Sequence, residues 1–272
     1  PEAHLECVDG KCLPPMVDVP AGTFWMGCNI DIDTSCVANE KPHHLVSLSA
    51  YQIDTYEVSA GAYKEYLASM GPDCKNPGDG ESCGGKDCWG ECAAGIPGME
   101  AYPANGIGRF EADGYCRWAG RRLCTEAEWE YAARGDDWRI YPWGNDCPAS
   151  WGGRCDGPEW TCETAKAVVP GTGCYFGWPG SSRIRTSPIG QQTGGASPFG
   201  VMDMAGNVAE WVSDRYGSDY YCKGPDADTT WPFEGECGYG EPAFLSPWND
   251  PKGPEGGEFF VLRGGDWWGT TL

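Results

Sequence analysis

Apolar and polar residues alternate along two stretches in the first part of the chain. The stretch MVDVPAGTFWMG, residues 16–27, alternates on both sides of a Pro-Ala-Gly turn. A period of two is typical of strands, and a turn between two such runs predicts a β-hairpin. Residues 43–59, HHLVSLSAYQIDTYEVS, predict a second pair of strands, with apolar positions at Leu45, Val46, Leu48, Tyr51 and Ile53.

Helical spacing begins directly after the second strand pair. Ser59 is a residue type that caps helix N-termini, and Gly71 is one that ends helices. The residues between them predict a helix whose apolar face is formed by Tyr63, Tyr66, Leu67 and Met70.

The most regular pattern is GRFEADGYCRWAGRRLCTEAEWEYAARG, residues 108–135. It predicts one helix over about residues 110–118, ended by Gly120. A second helix begins at residues 125–128, whose Thr-Glu-Ala-Glu sequence is a capping box, and Gly135 ends it. The buried face of this helix is predicted from Trp129, Ala132 and Ala133.

Short elements separated by long loops predict an irregular, loop-rich α+β fold. Residues 1–15 form a cysteine-bearing lead, and residues 16–272 are predicted to be one domain with insertions at about 71–99 and 216–256. Residues 258–268, EFFVLRGGDWW, predict a last strand that runs into a glycine turn. The 41 glycines and 22 prolines favour turns, and the 14 tryptophans suit an irregular core.

The chain is strongly acidic, with a net charge of −21. Nucleic-acid phosphates would be repelled, which excludes nucleic acid as a partner. The acidic surface would either keep the protein soluble or attract divalent cations. No apolar run approaches the ~20 residues of a membrane-spanning helix, and because the first residue is Pro1 we expect a signal peptide or lipoprotein leader to have been removed.

Sixteen cysteines accompany only three histidines, and no CxxC motif occurs. This pattern favours disulfides over zinc binding. Because disulfides persist in oxidising compartments, we expect the protein to be secreted, extracellular or periplasmic, and a lipid anchor at the cell surface is one option. Cys7 and Cys12 are expected to hold the N-terminal segment, residues 1–15, in place. Cys74, Cys83, Cys88 and Cys92 predict a disulfide-stapled insertion, with a metal knuckle as the alternative.

Six phrases follow one another along the chain: VPAGTFWMG, EKPHHLVSLSAYQIDTYEVS, GYCRWAGRRLCTEAEWEYAARG, YPWGN, SPFGVMDMAGNVAEWVSD and VLRGGDWW. They cover most of residues 16–268, and in this order they resemble the formylglycine-generating enzyme (sulfatase-modifying factor) family. The resemblance implies a disulfide-stapled α+β fold related to C-type lectins and to variable ligand-display proteins.

The resemblance also bears on catalysis. Formylglycine-generating members of the family oxidise a cysteine of an unfolded sulfatase segment with a copper ion held by two cysteines, because soft Cu(I) prefers thiolates. Gly269 stands at the position of the first of these cysteines, and Asp266 at that of the active-site serine. The second cysteine would fall beyond Leu272. We therefore expect neither bound copper nor a catalytic residue.

Two further cysteines depart from what the family implies. Cys116 matches a cysteine whose disulfide partner lies in a closing segment of the family, beyond Leu272. Either Cys116 has another partner, or a C-terminal part of the domain lies outside this sequence. Cys124 stands where the family has proline, so its disulfide partner would be either a nearby cysteine or a cysteine in one of the insertions.

The phrase VMDMAGNVAEW contains the best metal candidate. Asp203 and Glu210 offer carboxylates, and the tight turn between them can direct the backbone carbonyls of Gly206 and Val208 inward. Oxygen ligands without histidine suit Ca²⁺. These four positions match a family calcium site, which implies a structural Ca²⁺; the alternative is that Asp203 only caps a turn and Glu210 pairs with a surface cation.

Two other groups of side chains have the composition of a binding site. His43 and His44 are adjacent at a strand start, so they point to opposite faces and are not expected to chelate one ion. Asp266, Trp267 and Trp268 lie where the family binds its substrate peptide, and they can either bind a peptide or carbohydrate ligand or pack around the glycine turn.

Together these observations predict a secreted or surface-anchored, calcium-stabilised binding or assembly module that is not catalytic. The alternatives are an oxidase of the family that acts on protein cysteine, and a structural subunit of an extracellular assembly.

Overall fold

The computed structural model describes residues 5–8, 11–29, 31–33, 36, 38–70, 97–145, 186–223 and 247–265. The cysteine-rich stretch from 74 to 92 and the candidate ligand-binding residues Asp266, Trp267 and Trp268 lie outside these ranges. The strands are β1 (Glu6–Val8), β2 (Lys11–Leu13), β3 (Met16–Val19), β4 (Gly22–Met26), β5 (His44–Leu48), β6 (Tyr51–Asp54), β7 (Glu210–Arg215), β8 (Trp248–Asn249) and β9 (Phe260–Arg263). The helices are α1 (Ala60–Ser69), α2 (Arg109–Trp118), α3 (Glu126–Arg134) and α4 (Tyr220–Lys223).

The four predicted strands exist, but the predicted hairpin of β3 with β4 and the predicted pairing of β5 with β6 are wrong. β3 pairs with β6 and β4 pairs with β5, both antiparallel. Val19 opposes Tyr51 and Gly22 opposes Leu48, so both pairs share one register and form a single long ribbon. The ribbon is interrupted at Pro20, which has no N–H to give to a ladder. Alternation fixes the face of each residue but not the partner of its strand.

The predicted helix starts at Ser59 and Thr125 and the predicted helix end at Gly135 agree with the structure, whereas Gly71, the predicted end of α1, lies outside the described residues. Ser59 Oγ accepts the amide of Ala62 at 3.1 Å and begins α1. Thr125 Oγ1 accepts the amide of Glu128 at 3.2 Å, and the Glu128 carboxylate accepts the amide of Thr125 at 2.8 Å, which is the expected capping box of α3. Gly135, with φ 66°, ends this helix.

Helix α3 lies at the centre of the described core. Trp129, Ala132 and Ala133 are buried as predicted, and they pack with Val201, Met204 and Val212. The opposite side of α3 packs on the long ribbon through Ala127 and Tyr131.

The same helix carries a buried ionic network. Glu130 accepts hydrogen bonds from Arg134 at 2.7 Å, from Arg263 at 2.7 Å and from the amide of Gly27 at 2.8 Å. Burial alone would raise the pKa of Glu130, but Arg263 and Arg134 more than offset it and the pKa is lowered. The network therefore joins α3 to the end of β9 and to the ribbon.

Strand pairing brings the last described segment beside the candidate metal turn. β7 and β9 are antiparallel, with Glu210 opposite Arg263. Beyond β9, the carbonyl of Gly264 accepts the amide of Gly206 at 2.7 Å. Gly264 and Gly265 have φ of 87° and 68°, which confirms the predicted glycine turn.

The described cysteines include two disulfides, Cys7–Cys12, as expected for the lead, and Cys28–Cys36 in the loop that closes the ribbon. Cys116 and Cys124 are free thiols. None of the helices in the described ranges has the length and apolarity needed to cross a bilayer.

Candidate metal site

The candidate site is a tight turn in a fully buried stretch of chain, residues 201–207. Three of its residues have positive φ: Asp203 at 60°, Gly206 at 86° and Asn207 at 62°. Positive φ is costly for residues with a Cβ and persists where the surroundings enforce it. Here the enforcing contacts are made by side chains from distant parts of the chain.

Glu57, which follows β6, holds the second half of the turn. Its Oε2 accepts from Asn207 Nδ2 at 2.6 Å, and its Oε1 accepts the amide of Val208 at 3.1 Å. Asn207 Oδ1 accepts the amide of Ser187 at 2.9 Å. Both ends of the Asn207 amide are therefore used to fix the backbone beside Gly206 and Val208.

The two predicted carboxylates lie at the ends of the turn. Asp203 is buried and its Oδ2 accepts the amide of Gly190. Glu210 begins β7, and its Oε2 accepts from Trp129 Nε1 at 3.3 Å. Glu210 thus meets an indole N–H from the core helix, and no ion pair with Lys or Arg is found for it among the described residues.

Burial and repulsion from nearby carboxylates raise the pKa values of Glu57 and Glu210. The pKa of Glu57 lies well above its ordinary value because of burial first, and then because of Asp203 and Glu210. Burial, with repulsion from Asp203 and Asp54, raises the pKa of Glu210 to about 7, although the bond from Trp129 opposes this. An adjacent divalent cation would stabilise the ionised forms of all three acids.

The donor set fits a hard cation. Asp203 and Glu210 would supply carboxylate oxygens, and Gly206 and Val208 backbone carbonyls, which is an all-oxygen set of the kind that Ca²⁺ takes. Within the described ranges, the one group of three His, Cys, Asp or Glu ligand atoms within 4.8 Å of one another is Cys28, Asp33 and Cys36. Two of those three are joined in a disulfide, which leaves no thiolate for a metal.

Sequence reasoning did not single out Glu57. It lies in the Tyr-Glu-Val-Ser stretch between β6 and α1, and its side chain is 7% exposed. Its position between two apolar elements could have indicated a buried acid. Its hydrogen-bond partner, Asn207, could not be predicted because it is 150 residues away in the sequence.

A cavity of about 740 Å³ lies beside the turn, with Glu57, Val208 and Glu210 in its lining. The thiols of Cys116 and Cys124 also line it. Burial, followed by nearby carboxylates, raises the pKa of Cys116 to about 12 and that of Cys124 well above its ordinary value. Both are therefore protonated thiols at neutral pH, poor as nucleophiles and as ligands for copper.

The histidines separate as their adjacency predicts. His44 is fully buried, and its ring contacts those of Trp248 and Tyr221, with centroids 3.9 and 4.5 Å away. His43 is half-buried and contacts Trp25 instead, 5.0 Å between centroids.

The comparisons with known proteins agree with the fold. The model of the sulfatase-modifying factor enzyme 1-like domain matches residues 5–271. The chain is 28% identical to the formylglycine-generating enzyme of Mycobacterium tuberculosis over 75% of each protein. It is 27% identical to the hercynine oxygenase of Mycolicibacterium smegmatis over 92% of this chain, which spans 53% of that protein.

A solved structure is similar as well. PvdO from Pseudomonas aeruginosa superposes with a TM-score of 0.61 and 26% identity, over 97% of this chain and 85% of that one. The match of the family model along nearly the whole sequence is decisive, and the chain belongs to the family of sulfatase-modifying factor enzyme 1-like domains.

Proposed function

We propose that this chain is a calcium-stabilised binding or assembly module on the formylglycine-generating-enzyme scaffold, exported to the cell surface or beyond, and that it does not oxidise cysteine. The observation that carries the proposal is Gly269 at the position of the family's first copper-binding cysteine. A glycine offers no sulfur, and the raised pKa values of Cys116 and Cys124 make them unsuitable replacements.

The calcium part is supported by the turn from Asp203 to Glu210. Burial, and then neighbouring carboxylates, raise the pKa values of Glu57 and Glu210, and the Glu57–Asn207 contact holds the backbone in a strained shape. A bound Ca²⁺ would offset the repulsion and fix the turn against β7. Its role would be structural, since Ca²⁺ has no second oxidation state with which to carry out redox chemistry.

The second candidate function is an oxidase. It is favoured by the similarity to proteins named formylglycine-generating enzyme and hercynine oxygenase. Metal content separates the two candidates, because the oxidase needs a redox metal and the module needs only calcium.

The first prediction concerns the turn. Asp203→Asn and Glu210→Gln each remove a charged oxygen ligand, so both variants should bind calcium at least roughly tenfold more weakly. Free calcium at 100 times its Kd should stabilise the unmodified chain by about 2.7 kcal/mol. Calorimetric titration and thermal unfolding with and without chelator measure these two effects.

Asp18→Asn is the matched control, since Asp18 is an exposed carboxylate whose recorded contact is Gln52 Nε2 at 2.8 Å. Calcium binding should be unchanged in this variant. Unfolding that is identical with calcium and with chelator would contradict the calcium site, and stoichiometric copper or iron in the purified chain would contradict the non-oxidase assignment.

A further inference from the structure

Three aromatic rings meet on the surface at the far end of the ribbon. Trp25 of β4 stacks on Trp138, with ring centroids 5.7 Å apart and planes at 28°. His43 stands edge-on to both, 5.0 Å from Trp25 and 6.2 Å from Trp138. We call Trp25, His43 and Trp138 the aromatic platform. None of these residues belongs to the candidate metal site.

Trp138 is held in an unfavourable backbone conformation although the residue is only partly buried. Its φ is 65°, which is rare for a bulky residue, and 43% of the residue is exposed. Burial of the ring therefore does not explain why the chain tolerates this conformation. Strain of this kind at an exposed side chain points to a role in binding.

The turn that presents Trp138 is fixed by neighbouring polar side chains. Arg134 Nε donates to the carbonyl of Arg139 at 2.8 Å, and another Arg134 nitrogen donates to the carbonyl of Gly27 at 3.1 Å. Asn145 Oδ1 accepts the amide of Ile140 at 2.6 Å. These bonds join the end of α3, the ribbon and the turn, so the platform is organised before any partner arrives.

Acidic residues outnumber basic ones in the sequence around the platform residues. Asp31 is exposed and close enough to His43 to act on its charge. Asp136 and Asp137 directly precede Trp138. Two cations are near the platform in sequence: Arg139, which Asp137 holds through two bonds of 2.8 and 2.6 Å, and Lys41, which lies two residues before His43. Burial lowers the pKa of His43 despite Asp31, so the ring is neutral at pH 7.

We propose that the aromatic platform binds a cationic side chain, a guanidinium or an ammonium group, presented by a basic peptide segment of a partner protein. The faces of indole rings attract cations, the flanking carboxylates strengthen that attraction, and the net charge of −21 steers basic partners toward the surface. A neutral sugar ring would stack on the same indoles but would gain nothing from the carboxylates. The inference goes beyond the proposed function, because the platform would exist equally on an oxidase.

The test uses Trp138→Gly in the full chain. Glycine adopts a positive φ without strain, so this variant removes the ring without disturbing the turn. Binding of an arginine–glycine nonapeptide is measured by calorimetry at physiological salt, with a serine–glycine nonapeptide and cellohexaose as comparison ligands. We expect the arginine peptide to bind, and Trp138→Gly to weaken its binding by roughly fivefold or more.

Phe259→Ala is the matched control, since Phe259 is an aromatic residue outside the platform that is 71% exposed. It should bind the arginine peptide as the unmodified chain does. Equal affinity in Trp138→Gly would overturn the proposal in favour of diffuse attraction to an acidic surface. Absence of peptide binding, or binding of cellohexaose alone with loss in Trp138→Gly, would overturn it as well. None of these results depends on whether the chain binds calcium, so failure of this proposal can be distinguished from failure of the proposed function.

Discussion

At the scale of single residues, His44 illustrates what local sequence can and cannot predict. Its adjacency to His43 at a strand start predicts opposite faces, and the structure agrees. Its complete burial depends on Trp248 and Tyr221, which come from distant segments and which no local pattern connects to it. Glu57 was missed for the same reason, because its partner Asn207 is far away in sequence.

Burial of His44 predicts a specific response to acid. Burial lowers its pKa from an ordinary 6.5 to about 4, against the opposing bond to Pro42 and the charge of Glu130. The unfolded chain therefore takes up this proton first as pH falls. Stability contributed by neutral His44 is complete above pH 6.5 and should be lost by about pH 4, a change of about 3 kcal/mol.

A difference measurement isolates this effect, because other buried groups act in the opposite sense. Burial raises the pKa of Glu126 to about 7, so acidification below pH 7 stabilises the fold through that carboxyl. Urea unfolding of the unmodified chain and of His44→Gln, compared from pH 7 to pH 4, cancels the Glu126 contribution. The stability difference between the two should shrink as pH falls; a constant difference would contradict the assignment.

At the scale of elements, helices could be predicted well and strand partners could not. Helix ends are encoded within a few residues, as Ser59 and the capping box of Thr125 and Glu128 show. The ribbon depends on pairing β3 with β6 across a loop that Cys28–Cys36 closes, and alternation carries no information about such a partner. The continuous register of the two strand pairs across Pro20 could not be predicted from the sequence and is seen only in the structure.

The capping box yields a stability prediction. Thr125→Ala removes the hydroxyl that accepts the amide of Glu128 at the start of α3. Because α3 lies at the centre of the described core, the loss should appear in global unfolding, at about 1 kcal/mol. Urea denaturation measures it, with Thr193→Ala, an exposed threonine in a short 3-10 helix, as the control. Equal loss in both variants would argue against a capping role.

At the scale of the whole molecule, six phrases in order predicted the family and its irregular α+β fold, and the family model and PvdO confirm them. The tight turn between Asp203 and Glu210 could be predicted because its residues lie in one phrase, and calcium binding there stays a prediction. The aromatic platform could not, since Trp25, His43 and Trp138 come from three separate segments. A ligand-binding role for Asp266, Trp267 and Trp268 stays a prediction, because these residues lie outside the described ranges.

The central claim is that this scaffold binds and does not oxidise, and one assay tests it most directly. The purified chain, supplied with copper and oxygen, is incubated with a cysteine peptide derived from a sulfatase, beside the formylglycine-generating enzyme of Mycobacterium tuberculosis as the positive control. Because Gly269 offers no thiolate, mass spectrometry should find the peptide unchanged by this chain and converted to its aldehyde by the control. Copper-dependent aldehyde formed by this chain would contradict the account.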